Sequence, residues 1–252
     1  MRLSPSSRLD ALLAPSPAPR RVAFLSGARF AHRGLHGPGV PENSRAAFAA
    51  AIAAGHGIEC DVQASRDAQP IVFHDYELDR LTGDKGPLAA RTGAELAQVR
   101  LANGEAPPPL GGLLELIGGR VPLLIEVKAR DGAVGALCLG VRRALEGYRG
   151  PVAVMSFNPQ VAHWFAAHAE RIVRGLVVTE ADDRGIRGRL RRHLALWRAR
   201  PDFLAYDVRD LPSRFAAANR ARGLPVLTWT VRGGEAEAIA AAHADAPIYE
   251  AG

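Results

Sequence analysis

From Arg29 onward the hydrophobic positions of this chain fall into a repeating unit: a short apolar run, a turn, then an alanine- and leucine-rich stretch with helical spacing. The apolar runs predict strands near Phe30, Ile58, Leu123, Val152, Leu176, Leu204, Val226 and Ile248. Helical patterns lie between them, among them Ser44 to Ala54, Val134 to Leu145 and Ser213 to Arg222. Such alternation is the mark of a parallel sheet whose crossovers are helices. A ninth apolar run, Pro70 to His74, follows the second strand after only Ser65 to Gln69, too short for a crossover helix, and predicts an antiparallel extension of strand two. Pro107, Pro108 and Pro109 precede a short helix over Gly111 to Ile117. Eight βα units in 252 residues predict a single α/β domain, a (β/α)8 TIM barrel with a short insertion after strand two. An open doubly wound sheet would carry G-x-G-x-x-G after its first strand, and none is present. Residues 1–27, rich in Pro, Ser and Arg with no sustained period, predict an irregular N-terminal leader ahead of a barrel spanning 28–252.

Composition narrows the class. Hydrophobic residues are 48% of the chain and charged residues 23%, enough to bury a core without disulfides. No apolar run reaches the roughly 18 residues that a membrane helix needs. The run Ala11-Leu12-Leu13-Ala14 is broken by Pro15, Pro17 and Pro19, too soon for a secretory signal, so a soluble, cytoplasmic protein is expected. Cys60 and Cys138 are the only cysteines, which excludes a disulfide scaffold and a cysteine-rich zinc site; both read as small buried hydrophobes. A net charge of +6 raises nucleic acid or acidic lipid as a partner. Yet Lys85 and Lys128 are the only lysines among 32 basic residues, a chain-wide arginine bias rather than a built patch, and no nucleic-acid partner is expected. The densest basic segment, Arg184 to Arg200, carries seven arginines with Leu190, Leu194 and Trp197 at helical spacing. It reads as a barrel helix with its apolar stripe towards the sheet and a solvated opposite face. The alternative is a non-catalytic basic surface-binding module.

Candidate chemistry sits at the C-terminal ends of the predicted strands, where a barrel places its reacting groups. Strand one ends His32-Arg33-Gly34, strand two reads Ile58-Glu59-Cys60-Asp61, its extension ends His74-Asp75, and strand three reads Glu126-Val127-Lys128. Residues two apart share a strand face, so Glu59 and Asp61 point one way, as do Glu126 and Lys128, while Cys60 and Val127 face the outer helices. Three carboxylates converging in a dry mouth repel each other and take up protons unless a cation lies among them. All-oxygen ligation by Glu59, Asp61 and Glu126 suits one hard divalent ion, Mg²⁺ or Ca²⁺. The alternative is a buried ion-pair network with Arg33 and Lys128. His32 and His74, each ending an apolar run beside a second polar group, read as general base and general acid. His36, His56, His163, His168, His193 and His243 read as surface or packing residues.

Taken in order, His32-Arg33-Gly34, Pro41-Glu42-Asn43-Ser44 leading into Ala47-Phe48, Glu59-x-Asp61-Val62, Pro70-Ile71-Val72-Phe73-His74-Asp75 and Glu126-Val127-Lys128 closely resemble the glycerophosphodiester phosphodiesterase family. The resemblance runs from Phe30 to Gly252, with Ser156-Phe157 and Thr228-Trp229-Thr230-Val231 as weaker matches. It implies a metal-dependent TIM barrel that hydrolyses glycerophosphodiesters to sn-glycerol 3-phosphate and an alcohol through a cyclic phosphate. It also implies that Glu59, Asp61 and Glu126 hold the metal, His32 and His74 handle protons, and Arg33 and Lys128 bind the phosphoryl group. Trp229 would pack on the glycerol, or else be a barrel-core aromatic; Ser156 would contact phosphate, or else be a strand-end turn residue.

The chain departs from the family pattern in two places: Arg232 stands where the family often has Asn, and Ile248-Tyr249-Glu250-Ala251-Gly252 replaces an Asp-Pro turn. The insertion from Tyr76 to Pro109 is short, so any cap over the mouth is small. The expected substrate is a small, water-soluble glycerophosphodiester, with no stable membrane anchor. A related phospholipase C- or D-type enzyme acting on lipid or lysolipid is the alternative.

Overall fold

The computed structural model describes residues 5–129, 134–181 and 185–251; Arg184 of the arginine-rich segment and residues 1–4 of the leader lie outside them. All eight expected parallel strands and the antiparallel extension are present. They are β1 (Phe30–Ala31), β2 (Gly57–Ala64), β3 (Pro70–Val72), β4 (Leu123–Val127), β5 (Val152–Ser156), β6 (Val173–Val178), β7 (Phe203–Asp207), β8 (Val226–Val231) and β9 (Ala246–Tyr249). The helices are α1 (Pro5–Leu13), α2 (Pro19–Val22), α3 (Arg45–Ala53), α4 (Gly93–Leu96), α5 (Leu110–Ile117), α6 (Gly135–Ala144), α7 (Pro159–His168), α8 (Gly185–Ala199), α9 (Arg214–Ala221) and α10 (Gly233–His243). The strands form one sheet in the order β1-β9-β8-β7-β6-β5-β4-β2-β3, and β1 also pairs with β2, which closes the eight parallel strands into a TIM barrel. Several helix starts are written locally: Ser44, Asn158 and Ser213 each accept a backbone N–H of the first turn of α3, α7 and α9.

By contacts the chain divides into two compact units. In the first, Phe30–Val152, β2 is the organising strand. It pairs in parallel with β1 (Phe30↔Gly57) and with β4 from Ile58↔Leu123 to Val62↔Val127, then turns back antiparallel on β3 with Val62↔Val72. Ile58, Cys60 and Val62 are fully buried, and so are the alternating polar residues Glu59, Asp61 and Gln63. The pleat sends these two sets to opposite faces, and a slip of one residue would drive three polar side chains into the helix layer. The insertion after β3 packs with Ile71 of that strand into a small apolar cluster, Ile71, Phe73, Leu78, Leu88, Leu96, Val99 and Leu101, which anchors the chain on either side of His74.

The second unit holds the described residues up to Arg29 together with Ala153–Glu250. Its core packs Leu176, Val178, Leu204, Tyr206 and Val226 from the strands against Leu196, Ala199, Phe215 and Ala216 from the helices. The expectation of an irregular leader is corrected here: residues 5–13 and 19–22 are helical, followed by a 3₁₀ turn over Ala23–Leu25. Ala14 joins the core, and buried Asp10 accepts a hydrogen bond from Trp197 Nε1 at 2.8 Å while lying 2.7 Å from His193 Nδ1. A nine-residue helix is not stable alone; packing on α8 sustains it, and local sequence carries no sign of that partner.

The reading of α8 is also corrected. Leu190 and Leu194, expected to face the sheet, are exposed, and the inward side is Gly188, Arg192, Leu196 and Ala199. On that inward side Leu196 and Ala199 pack into the core and Arg192 pairs with Glu180 at 3.0 Å.

Candidate active site

Parallel pairing puts Asp61 of β2 beside Glu126 of β4, with Glu59 one pleat earlier on the same face. Each of the three offers a carboxylate oxygen within 4.8 Å of the others, the one such cluster among the described residues. Lys128, one pleat beyond Glu126, places Nζ 3.2 Å from Asp61 Oδ1 and 3.3 Å from Glu126 Oε1.

The turn after β1 brings a second cation. Arg33 adopts a left-handed φ of 56°, and Gly34 follows at φ 80°, where a Cβ would strike Ala47 of α3 at 2.8 Å. This sharp turn aims the Arg33 backbone N–H at Glu59 Oε2 (3.0 Å) and brings Arg33 Nε within 3.3 Å of Asp61 Oδ2. That buried Nε faces the Asp61 carboxylate as an ion pair without an aligned hydrogen bond. His32 Nε2 lies 3.9 Å from Glu59 Oε2. The segment Glu42-Asn43-Ser44 braces the turn. Asn43 donates from its backbone to the Arg33 carbonyl at 2.9 Å and from Nδ2 to Asp61 Oδ2 at 3.0 Å, while Glu42 accepts from Arg33 Nη1 at 2.7 Å.

His74 is held from two sides. Gln63, on the polar face of β2, donates through Nε2 to the carbonyls of Phe73, His74 and Asp75 at 2.9, 3.1 and 2.6 Å. Asp75 Oδ1 lies 2.6 Å from His74 Nδ1, and Arg80 grips both Asp75 and Glu42 with paired hydrogen bonds. Sequence reasoning assigned no role to Glu42, Asn43, Gln63, Asp75 or Arg80. Glu42, Asn43 and Asp75 lie inside the quoted motifs and were within its reach; Gln63 and Arg80 carry no local signal.

The electrostatics mark the cluster as short of positive charge. Burial, then repulsion from Asp61 and Glu126, raises the Glu59 carboxyl well above its usual range, and burial together with Asp61 pushes Glu126 up to about 7. Burial also acts upward on Asp61, but Lys128 and Arg33 outweigh it and hold the group at about 2. Burial lowers the His74 pKa, with Asp61 pulling the other way. Two carboxyls forced towards their neutral forms in an all-oxygen cluster fit a hard divalent cation, whose charge would relieve both burial and repulsion.

Seven of the nine sequence-predicted site residues, His32, Arg33, Glu59, Asp61, His74, Glu126 and Lys128, thus belong to one unit and act on one another. Ser156 and Trp229 belong to the other. There Ser156 Oγ accepts the Asn158 backbone N–H at 3.1 Å, and Trp229 donates from Nε1 to the Ala205 carbonyl at 2.9 Å and meets Phe157 edge-on at 5.4 Å. The two departures from the family pattern meet each other: Arg232 forks onto Glu250 at 2.6 and 2.7 Å.

The sequence pattern of the glycerophosphoryl diester phosphodiesterase family matches residues 32–244. Among curated relatives, the glycerophosphodiester phosphodiesterase of Caldanaerobacter subterraneus subsp. tengcongensis is 37% identical over 112 residues, 41% of this chain and 45% of that protein. That of Bacillus altitudinis is 34% identical over 110 residues, 40% of this chain and 44% of that protein. The chain therefore spans about half the length of the curated relatives it matches. Of solved structures, a phosphodiesterase of Oleispira antarctica, in complex with the product sn-glycerol-3-phosphate, aligns with a TM-score of 0.77 at 24% identity over 90% of this chain and 94% of that one. The glycerophosphodiester phosphodiesterase of Thermotoga maritima aligns at 0.71 and 23% identity over 88% and 94%. Both share the fold. With a family pattern that begins at the first candidate histidine and runs through the whole carboxylate cluster, the chain belongs to the glycerophosphoryl diester phosphodiesterase family.

Proposed function

We propose that the protein hydrolyses small glycerophosphodiesters to sn-glycerol 3-phosphate and an alcohol, using a divalent cation held by Glu59, Asp61 and Glu126. The observation that carries this reading is the convergence of three carboxylate oxygens within 4.8 Å with Lys128 and Arg33 beside them. When bound, Mg²⁺ or Ca²⁺ supplies charge neutralisation at the phosphoryl oxygens and lowers the pKa of a ligated hydroxyl. Arg33 and Lys128 add positive charge where the phosphoryl oxygens develop theirs. His32 takes the proton of the glycerol 2-hydroxyl as that oxygen attacks phosphorus. The bond from phosphorus to the leaving oxygen breaks, His74 protonates the departing alcohol, and a cyclic phosphate remains. Water then opens the ring with the two histidine roles reversed. The reacting atom of His74 is Nε2, because Nδ1 is engaged by Asp75. Burial makes the His74 imidazolium a stronger acid. Ser156 and Trp229 keep their phosphate and glycerol roles on the family resemblance.

The test is release of sn-glycerol 3-phosphate from glycerophosphocholine, glycerophosphoethanolamine and glycerophosphoglycerol, with lysophosphatidylcholine and phosphatidylcholine alongside. Turnover of the three deacylated diesters should vanish in EDTA and return with Mg²⁺ or Ca²⁺. Full activity in chelator contradicts the metal role. An acylated lipid preferred by about tenfold, some 1.4 kcal/mol, moves the reading to a phospholipase.

A further inference from the structure

Six large hydrophobic side chains stand exposed among the described residues, and five of them lie on two helices of one unit: Leu9 and Leu12 on α1, and Ile186, Leu190 and Leu194 on α8. The sixth is Phe157. Ile186, Leu190 and Leu194 repeat every four residues, so they form one ridge along α8, and Ile186 and Leu12 are 78% and 76% exposed. The ridge cannot turn inward, because the Arg192–Glu180 pair and buried Leu196 and Ala199 hold the opposite side of the helix. Asp10 ties α1 to α8 through Trp197 and His193, so the two sets of exposed side chains belong to one packed pair of helices.

On the two helices themselves, the exposed charge of the described residues has one sign. Arg187, Arg189, Arg191 and Arg198 of α8 and Arg8 of α1 are exposed, and α8 contains no acidic residue. The only acid of α1, Asp10, is buried and engaged. A second copy docking through the same face would bring these cations against each other. An anionic bilayer satisfies both features at once: the ridge enters the boundary between headgroups and acyl chains, and guanidinium forks meet lipid phosphates. No helix among the described residues is long and apolar enough to cross a membrane, so the attachment is peripheral.

We propose that α1 and α8 together form a docking face for anionic phospholipid membranes. This goes beyond the catalytic reading, since the face lies on helices that carry none of the residues assigned to the reaction. It would hold the enzyme reversibly at the surface where lipid deacylation releases glycerophosphodiesters.

The full-length, metal-loaded protein would be sedimented with vesicles of mixed phosphatidylglycerol and phosphatidylcholine, and with phosphatidylcholine alone. Binding is expected to the anionic vesicles only and to weaken as salt rises. Leu190→Gln with Leu194→Gln, and separately Arg187→Gln with Arg189→Gln, should each lower the partition by about tenfold. Both double variants should keep wild-type kcat/KM on glycerophosphocholine. The arginine pair touches no core and carries the test even if the leucine pair disturbs folding. No binding to anionic vesicles, or binding that neither pair weakens, overturns the proposal. So does a concentration-dependent dimer that the leucine pair disperses, which would assign the face to a second copy, or tighter binding to RNA than to vesicles.

Discussion

Asp75 Oδ1 lies 2.6 Å from His74 Nδ1, and the same carboxylate receives Arg80 through Nε at 2.5 Å and Nη2 at 3.0 Å. Arg80 continues to Glu42, Glu42 to Arg33, and Arg33 to Asp61, so a chain of alternating charges joins His74 to the carboxylate cluster. Asp75 fixes which imidazole nitrogen faces the reaction. Arg80 is half exposed, and its pairing alone would add little to stability, so its effect should fall on geometry.

Asp75→Ala is therefore expected to lower kcat by roughly 10- to 100-fold with KM nearly unchanged and the melting temperature close to wild type. Arg80→Ala should produce a smaller loss of the same kind. Steady-state kinetics beside a thermal melt decide it: a loss confined to KM, or a loss that follows unfolding, contradicts a positioning role.

The carboxylate cluster makes the metal-free protein sensitive to pH in a direction that can be worked out. Burial and Asp61 raise Glu126 from 4.5 to about 7 in the folded state, and Glu59 moves the same way. A carboxyl with a raised folded-state pKa binds its proton more tightly folded than unfolded. Its stabilising contribution is complete below 4.5 and is lost as pH rises through about 7. Asp61 behaves oppositely: held at about 2, it contributes above its usual 3.8 and loses that contribution only as pH falls through 2. In EDTA the melting temperature should thus fall between about pH 5 and pH 7, and Glu126→Gln should flatten the decline. Saturating Mg²⁺ should reverse it. A melting temperature in EDTA that climbs across this window would contradict the assignment.

If both histidines transfer protons, His32→Ala and His74→Ala should each lower kcat by roughly 10² to 10⁴. His163, exposed on α7, supplies the control, and His163→Ala should leave kinetics unchanged. Either of the pair proving dispensable would break the acid and base assignment.

Lys128 sits between Asp61 and Glu126 as a compact point charge with only 12% of its side chain exposed. The planar, longer guanidinium of Lys128→Arg cannot occupy that place without displacing a carboxylate. A loss of at least about tenfold in kcat/KM is expected, some 1.4 kcal/mol of transition-state stabilisation. Wild-type kinetics would show that any positive charge suffices.

Much of this was legible along the chain because strand and helix periods are local. Alternation in β2 and β4 alone put Glu59, Asp61, Glu126 and Lys128 on shared faces, since neighbouring side chains of a strand must point oppositely. The short gap from Ser65 to Gln69 dictated the antiparallel turn of β3, and the helical patterns that begin at Ser44 and Ser213 match α3 and α9, whose first turns those serines cap. Only the tertiary structure could decide what depends on partners distant in sequence. Asn43 on Asp61, Gln63 on the His74 loop, and the Glu42–Arg80 grip join residues that no short-range pattern relates. The same holds for α1, which packs through Asp10 onto His193, 183 residues away, and so becomes a helix where its own composition suggests none. For α8, the spacing favoured burying Leu190 and Leu194, but the side that packs inward carries Leu196 and Ala199 in the core and Arg192 paired with Glu180, which leaves those leucines outside. A period says which side chains share a face of a helix; which face turns inward is settled by the groups it meets there.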